Sequence, residues 1–119
     1  MKPETENWLK KLNEKLDYYI KTVSKVIKID KVILFGSYAN GNPHEYSDID
    51  LAVISSDLDP TKPVFVHNLE IADKANLYDP DLQLFAFPKE VFENEKGVQR
   101  SFIREIKKTG KVIYQNPSV

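Results

Sequence analysis

Val32, Ile33, Leu34 and Phe35 form an unbroken apolar run, and Gly36 ends it. Four apolar residues with no polar interruption read as a strand buried in a sheet. The remaining segments must be arranged around that strand. With 119 residues, 41% apolar and 29% charged, the chain is expected to form one domain over residues 1–119.

Upstream, Leu9, Leu12, Leu16, Tyr19, Val23 and Val26 step by three and four residues. That spacing predicts an amphipathic helix from just after Pro3 to about Ile27. Downstream, Gly36 to Ser47 is rich in Gly, Asn, Pro and Ser and reads as loop, with a single helical turn able to start at Ser37. Residues 48–54 (Asp-Ile-Asp-Leu-Ala-Val-Ile) read as a second strand, with Asp48, Asp50 and Ala52 on one face and Ile49, Leu51 and Val53 on the other. Val64, Asn68, Ile71 and Ala75 suit a second helix, whose apolar face Phe65, Leu69 and Ala72 widen. Residues 81–87 make a third strand that Pro88 stops. Val98, Phe102 and Ile106 mark a third helix with Gly110 as its C-cap, and residues 111–114 a short last strand. Helices and strands mixed in this order describe a small α/β (α+β) domain.

Composition removes several classes of function. Seventeen basic residues against eighteen acidic ones leave a net charge of −1, so general nucleic-acid binding is not expected. Without cysteine there is no thiol catalysis and no Cys-ligated zinc. Two histidines, His44 and His67, are too few for a His-rich metal site and are expected at the surface, exposed or partly packed. The first residues lack an apolar signal core, and no apolar run is long enough to span a bilayer. The expected setting is cytoplasmic.

Two short patterns carry chemistry. Asp48 and Asp50, two residues apart on a strand, point the same way. Their charges repel unless a cation lies between them, and hard oxygen ligands of this kind suit Mg²⁺. Gly36-Ser37 leaves the end of a buried strand, where backbone N–H groups and a hydroxyl can receive phosphate oxygens. Each pattern alone is common in turns and strand edges. Together, on adjacent strands, they are the equipment of metal-assisted phosphoryl or nucleotidyl transfer. No Gly-Lys-Ser/Thr is present, so this is not a P-loop.

Gly36-Ser37-Tyr38-Ala39-Asn40-Gly41 followed by Ser47-Asp48-Ile49-Asp50-Leu51 closely resembles the signature of the DNA polymerase β-like nucleotidyltransferase superfamily: Gly-Ser, ten residues, Asp-x-Asp. The flanking residues resemble its minimal nucleotidyltransferase (MNT) branch. That resemblance implies a small mixed sheet with helices packed on one side. It also implies nucleotide binding at Gly36 and Ser37, and two Mg²⁺ ions on Asp48 and Asp50. A third carboxylate usually stands on the next core strand. Counting back from Phe87-Pro88, that position falls on neutral Gln83, while Asp81 lies two residues earlier and either replaces it as catalytic and metal-binding residue or merely caps the strand.

The activity implied is transfer of AMP from ATP to a hydroxyl of a partner protein. Many MNT proteins are antitoxins paired with a helical HEPN toxin, and this chain lacks the HEPN-type Arg-x4–6-His motif. The rival reading is a noncatalytic nucleotide- or partner-binding antitoxin, which Gln83 favours. An aminoglycoside-type transferase ranks lower, since so short a chain leaves little room to enclose a sugar. Homo-oligomers are compatible with the sequence. The basic residues Arg100, Arg104, Lys107, Lys108 and Lys111, and the aromatics Tyr38, Tyr46, Trp8, Tyr18 and Tyr19, read either as contacts to nucleotide or partner or as ordinary surface and core.

Overall fold

The computed structural model describes residues 3–41 and 48–117. The apolar run lies in β1 (Lys31–Phe35), inside a four-stranded sheet of order β3-β2-β1-β4. Strand β2 (Ile49–Ser55) and strand β4 (Lys111–Gln115) pair antiparallel with β1, and β3 (Leu82–Pro88) pairs parallel with β2. The sheet is therefore mixed, as the sequence implied. Helices α1 (Pro3–Ser24) and α2 (Val64–Ala75) come before β1 and between β2 and β3. Helices α3 (Lys89–Glu93) and α4 (Arg100–Thr109) lie between β3 and β4.

Helices cover both faces of the sheet, which corrects the one-sided packing that the sequence suggested. Val32, Leu34, Leu51 and Val53 face a core that includes Leu12, Leu16, Tyr19 and Val23 of α1 and Ile71 of α2. Ile33, Phe35, Ala52 and Ile54 face a second core with Phe92 of α3 and Ile103 and Ile106 of α4. The physical reason is in β1. Successive side chains point to opposite faces, so an uninterrupted apolar run exposes hydrophobic surface on both sides. Burying one such side chain stabilises by about 1.5–3 kcal/mol, which a single layer of helices would forgo on one face.

Local departures have local causes. Helix α1 ends at Ser24, whose hydroxyl bonds the Lys21 carbonyl, and looser turns carry the chain through Ile27. Helix α3 was not expected. It starts directly after Pro88, which closes β3 with a φ of −57° and leads into it. Val98 is almost fully exposed, and α4 starts two residues later on a stripe set by Phe102, Ile103 and Ile106. Phe65 and Leu69 also remain exposed, so only part of the expected α2 face is buried. Gly110 does follow α4, but with an extended φ of −80°. Its small size matters because a Cβ there would stand 2.4 Å from Ile33 Cγ2 and 2.6 Å from the Ile106 carbonyl oxygen.

His67 is buried, against expectation: its Nε2 lies 2.8 Å from the Asp59 carbonyl oxygen under α2. Tyr19 belongs to the core and Tyr18 is exposed. His44, Tyr46 and Ser47 lie outside the described residues. No helix among the described residues is long and apolar enough to cross a membrane.

Candidate active site

The end of β1 and the start of β2 are neighbours because Phe35 pairs with Asp50 in the antiparallel register. This brings the two halves of the motif together across the intervening loop. Gly36 has a φ of +75°, a conformation that L side chains rarely adopt. A Cβ on Gly36 would stand 2.2 Å from Asp50 Oδ2, so the carboxylate rests against the glycine backbone. A side chain at that point would force the Asp50 carboxylate to move. Beyond it, residues 37–41 form a hydrogen-bonded turn in which the Asn40 N–H donates to the Gly36 carbonyl at 3.1 Å. Ala39 is buried in the α1-side core and pins this turn to the sheet. The half-buried Ser37 therefore sits at the start of one helical turn, directly after the glycine that touches the Asp50 carboxylate.

Asp48 is exposed just before β2, and Asp50 is half-buried within it. Burial, and secondarily the nearby Asp48 charge, push the Asp50 carboxyl above the usual range. Burial is the larger cause, the neighbouring carboxylate adds to it, and a divalent cation beside both would relieve it. The donor set and the Gly36 cradle thus fit one such cation.

The surroundings of Asp50 follow from strand register. Paired residues share a sheet face, so Phe35 flanks Asp50 from β1 and Gln83 flanks it from β3. Phe35, Phe85 and Phe102 form an aromatic cluster with ring centroids 5.1–5.6 Å apart. This cluster continues the Asp50 face and gives the acidic pair an apolar border. The sequence reading did not assign it. Its signal was parity: Phe35 and Phe85 take the same face as Asp50 once the strands are paired.

Asp81 goes elsewhere. Its carboxylate accepts a 2.9 Å hydrogen bond from Lys15 Nζ of α1, the helix that packs on the sheet face opposite Asp50. Its N–H donates to Asp79 Oδ1 at 2.9 Å, and its carbonyl receives the Ile49 N–H at 2.7 Å. The turn at Asp79-Pro80-Asp81 thus takes this side chain out of the pleat that alternation alone would give it. Tyr19 donates a short hydrogen bond to Asp79, which holds that carboxyl below its usual range. Among the described residues no group of three His, Cys, Asp or Glu is placed to hold a metal ion. The structure gathers Gly36, Asp50 and Gln83, with Ser37 and Asp48 adjoining, and leaves Asp81 with Lys15.

The basic residues of α4 are partly engaged. Arg104 Nε lies 2.9 Å and Lys107 Nζ 3.5 Å from the Glu95 carboxylate, and the Lys107 ammonium stands 5.2 Å from the Phe92 ring centroid.

The pattern of the family described as "Polymerase beta, Nucleotidyltransferase" matches residues 14–118. "Putative protein adenylyltransferase MJ0141" of Methanocaldococcus jannaschii is 30% identical over 92 residues, which cover 76% of this chain and 86% of that protein. The crystal structure of a toxin–antitoxin with AMP-PNP is similar at a TM-score of 0.59 and 25% identity, covering 86% of this chain and 74% of that one. A mutant of the toxin–antitoxin MntA-HpeT is similar at a TM-score of 0.56 and 26% identity, covering 86% of this chain and 73% of that one. A turn that sets a glycine against the first strand's acidic partner, on a mixed sheet matched almost end to end, leads to one assignment: the chain is a nucleotidyltransferase domain and belongs to the polymerase β nucleotidyltransferase family.

Proposed function

We propose that this chain transfers the AMP moiety of ATP to a hydroxyl of a partner protein, as the antitoxin half of a HEPN/MNT pair in the cytoplasm. The observation that carries the reading is the contact between Gly36 and the Asp50 carboxylate, which fuses a phosphate-accepting turn to an acidic pair. Gly36 and Ser37 would receive the triphosphate, and Asp48 and Asp50 would hold Mg²⁺ beside it. Bound Mg²⁺ supplies charge neutralisation of the triphosphate and a lowered pKa for the attacking hydroxyl. That hydroxyl forms a bond to the α-phosphorus, the α–β bridging bond breaks, pyrophosphate leaves and the hydroxyl proton passes to solvent. Of the chain's own residues, Gly36 and Ser37 would hold the triphosphate and the Phe35–Phe85–Phe102 cluster would border the site. The resemblance implies two ions and a third carboxylate, whose usual place falls on Gln83; Asp81 could replace it only by giving up Lys15.

The adenylyltransferase name of the archaeal relative supports a protein acceptor. The AMP-PNP of the similar toxin–antitoxin structure supports ATP as donor. The toxin–antitoxin structures support a toxin as partner.

Calorimetric titration of ATP with and without Mg²⁺, followed by transfer of labelled AMP to a co-expressed HEPN partner, tests the reading. We expect Mg²⁺-dependent binding and labelling, both lost in Asp48→Ala/Asp50→Ala. The register of Gln83 with Asp50 favours a second reading, neutralisation of the toxin by contact alone. A double-alanine variant that still neutralised its toxin, with no AMP on either protein, would establish that second reading and sink the first.

A further inference from the structure

The number of ions this site can hold follows from what surrounds Asp50. On the β1 side its register partner is Phe35, which has no oxygen to offer. On the β3 side the partner is Gln83, an exposed side chain on the same face. Further along that face come Ala52 and Phe85. Among the described residues, Asp48 and Asp50 are thus the anionic groups here, and the one adjoining side-chain oxygen from β3 belongs to a neutral amide. Asp81 turns its carboxylate to Lys15 of α1, which packs on the opposite sheet face, and its backbone bonds Asp79 and Ile49. Two adjacent divalent cations repel each other as two carboxylates do. Each needs its own anionic oxygen as well as any shared one.

We infer that Gln83 makes this a single-ion site, which takes one divalent cation together with a nucleoside triphosphate. The inference rests on the reading of Asp48 and Asp50 as the metal-binding pair. Replacing the amide by a carboxylate would supply the missing charge where the register already places it. Gln83→Glu therefore admits a second ion.

The test counts Mn²⁺ by electron paramagnetic resonance in equilibrium dialysis, with AMP-PNP present on both sides of the membrane. Wild type is expected to hold one Mn²⁺ per chain and Gln83→Glu two, with spin coupling between neighbouring ions visible only in the variant. Because Gln83 is exposed, the variant should keep the wild-type melting temperature; should it not, Gln83→Asp replaces it. Two ions in wild type would overturn the inference and leave the metal-pair reading intact; their reduction to one by Asp81→Asn would trace the second to Asp81. One ion in both wild type and Gln83→Glu would also overturn it, since Gln83 would not set the count. Equal Mn²⁺ binding by wild type and Asp48→Ala/Asp50→Ala would instead defeat the underlying reading.

Discussion

Gly36 answers two separate demands, and substitutions can tell them apart. Its φ of +75° disfavours any side chain, and the Asp50 carboxylate occupies the space a Cβ would need. Gly41 has nearly the same φ, +74°, with nothing among the described residues within 4 Å of a Cβ. Alanine at Gly41 should therefore cost only the conformational term, about 1–2 kcal/mol. Alanine at Gly36 should cost more than that and also weaken nucleotide binding, because Asp50 must move. In an Asp50→Ala background the extra cost should vanish, so that the two glycines behave alike. Urea denaturation of the single and double variants measures this. An undiminished Gly36 penalty without the carboxylate would show that Asp50 is not the obstacle.

At the scale of elements, the link between α1 and the start of β3 is electrostatic as well as hydrophobic. Burial, and secondarily the hydrogen bond that its hydroxyl donates to Asp79, raises the Tyr19 pKa, and the same bond lowers that of Asp79. A depressed carboxyl binds fewer protons folded than unfolded. Its stabilisation is present above the unfolded value and is lost as pH falls through the folded one. The stability difference between wild type and Asp79→Asn should therefore shrink as pH drops from about 5 to about 2. Asp50, whose carboxyl is raised, contributes the opposite slope just above the ordinary carboxylate range, but it is common to both proteins and cancels in the difference. Tyr19→Phe should cost about 1.5–3 kcal/mol at neutral pH, the usual worth of a hydrogen bond to a charged group. Chemical denaturation across that pH range checks both values, and a flat difference profile would contradict the assignment. The exposed Lys15–Asp81 pair is expected to contribute little, as surface ion pairs do.

For the molecule as a whole, the sheet separates two cores that share strands but few side chains. Leu16 of α1 lies in one and Ile103 of α4 in the other. Truncating either to alanine should cost about 2–5 kcal/mol. Because the sheet stands between them, the costs should add to within about 0.5 kcal/mol in the double variant. Strong non-additivity in the denaturation midpoints would mean that the sheet transmits strain from one core to the other. The candidate site draws on both cores: Ala39 anchors its turn on the α1 side, and on the other Phe102 of α4 packs on Phe35, the register partner of Asp50.

Much of this was legible in the chain itself. Apolar spacing located the four strands and three of the four helices. The Gly-Ser and Asp-x-Asp patterns marked the candidate site, because phosphate and metal chemistry restricts residue type at short range, and the structure brings Gly36 and Asp50 together. The fourth helix, α3, was missed because five residues carry too little periodicity to signal one. The apolar run of β1 calls for cover on both sheet faces, but which helix covers which face depends on where α1 and α4 dock and could be decided only in three dimensions. His67 looked like a surface residue because one histidine in a helix says nothing of the segment folded over it. Asp81 and Gln83 show the division most directly. Counting along the strand leaves both within reach of Asp50, because alternation puts them on one face. Tertiary structure separates them: Lys15, from a helix more than sixty residues away in sequence, draws the Asp81 carboxylate aside, and the parallel β2–β3 register sets Gln83 beside Asp50.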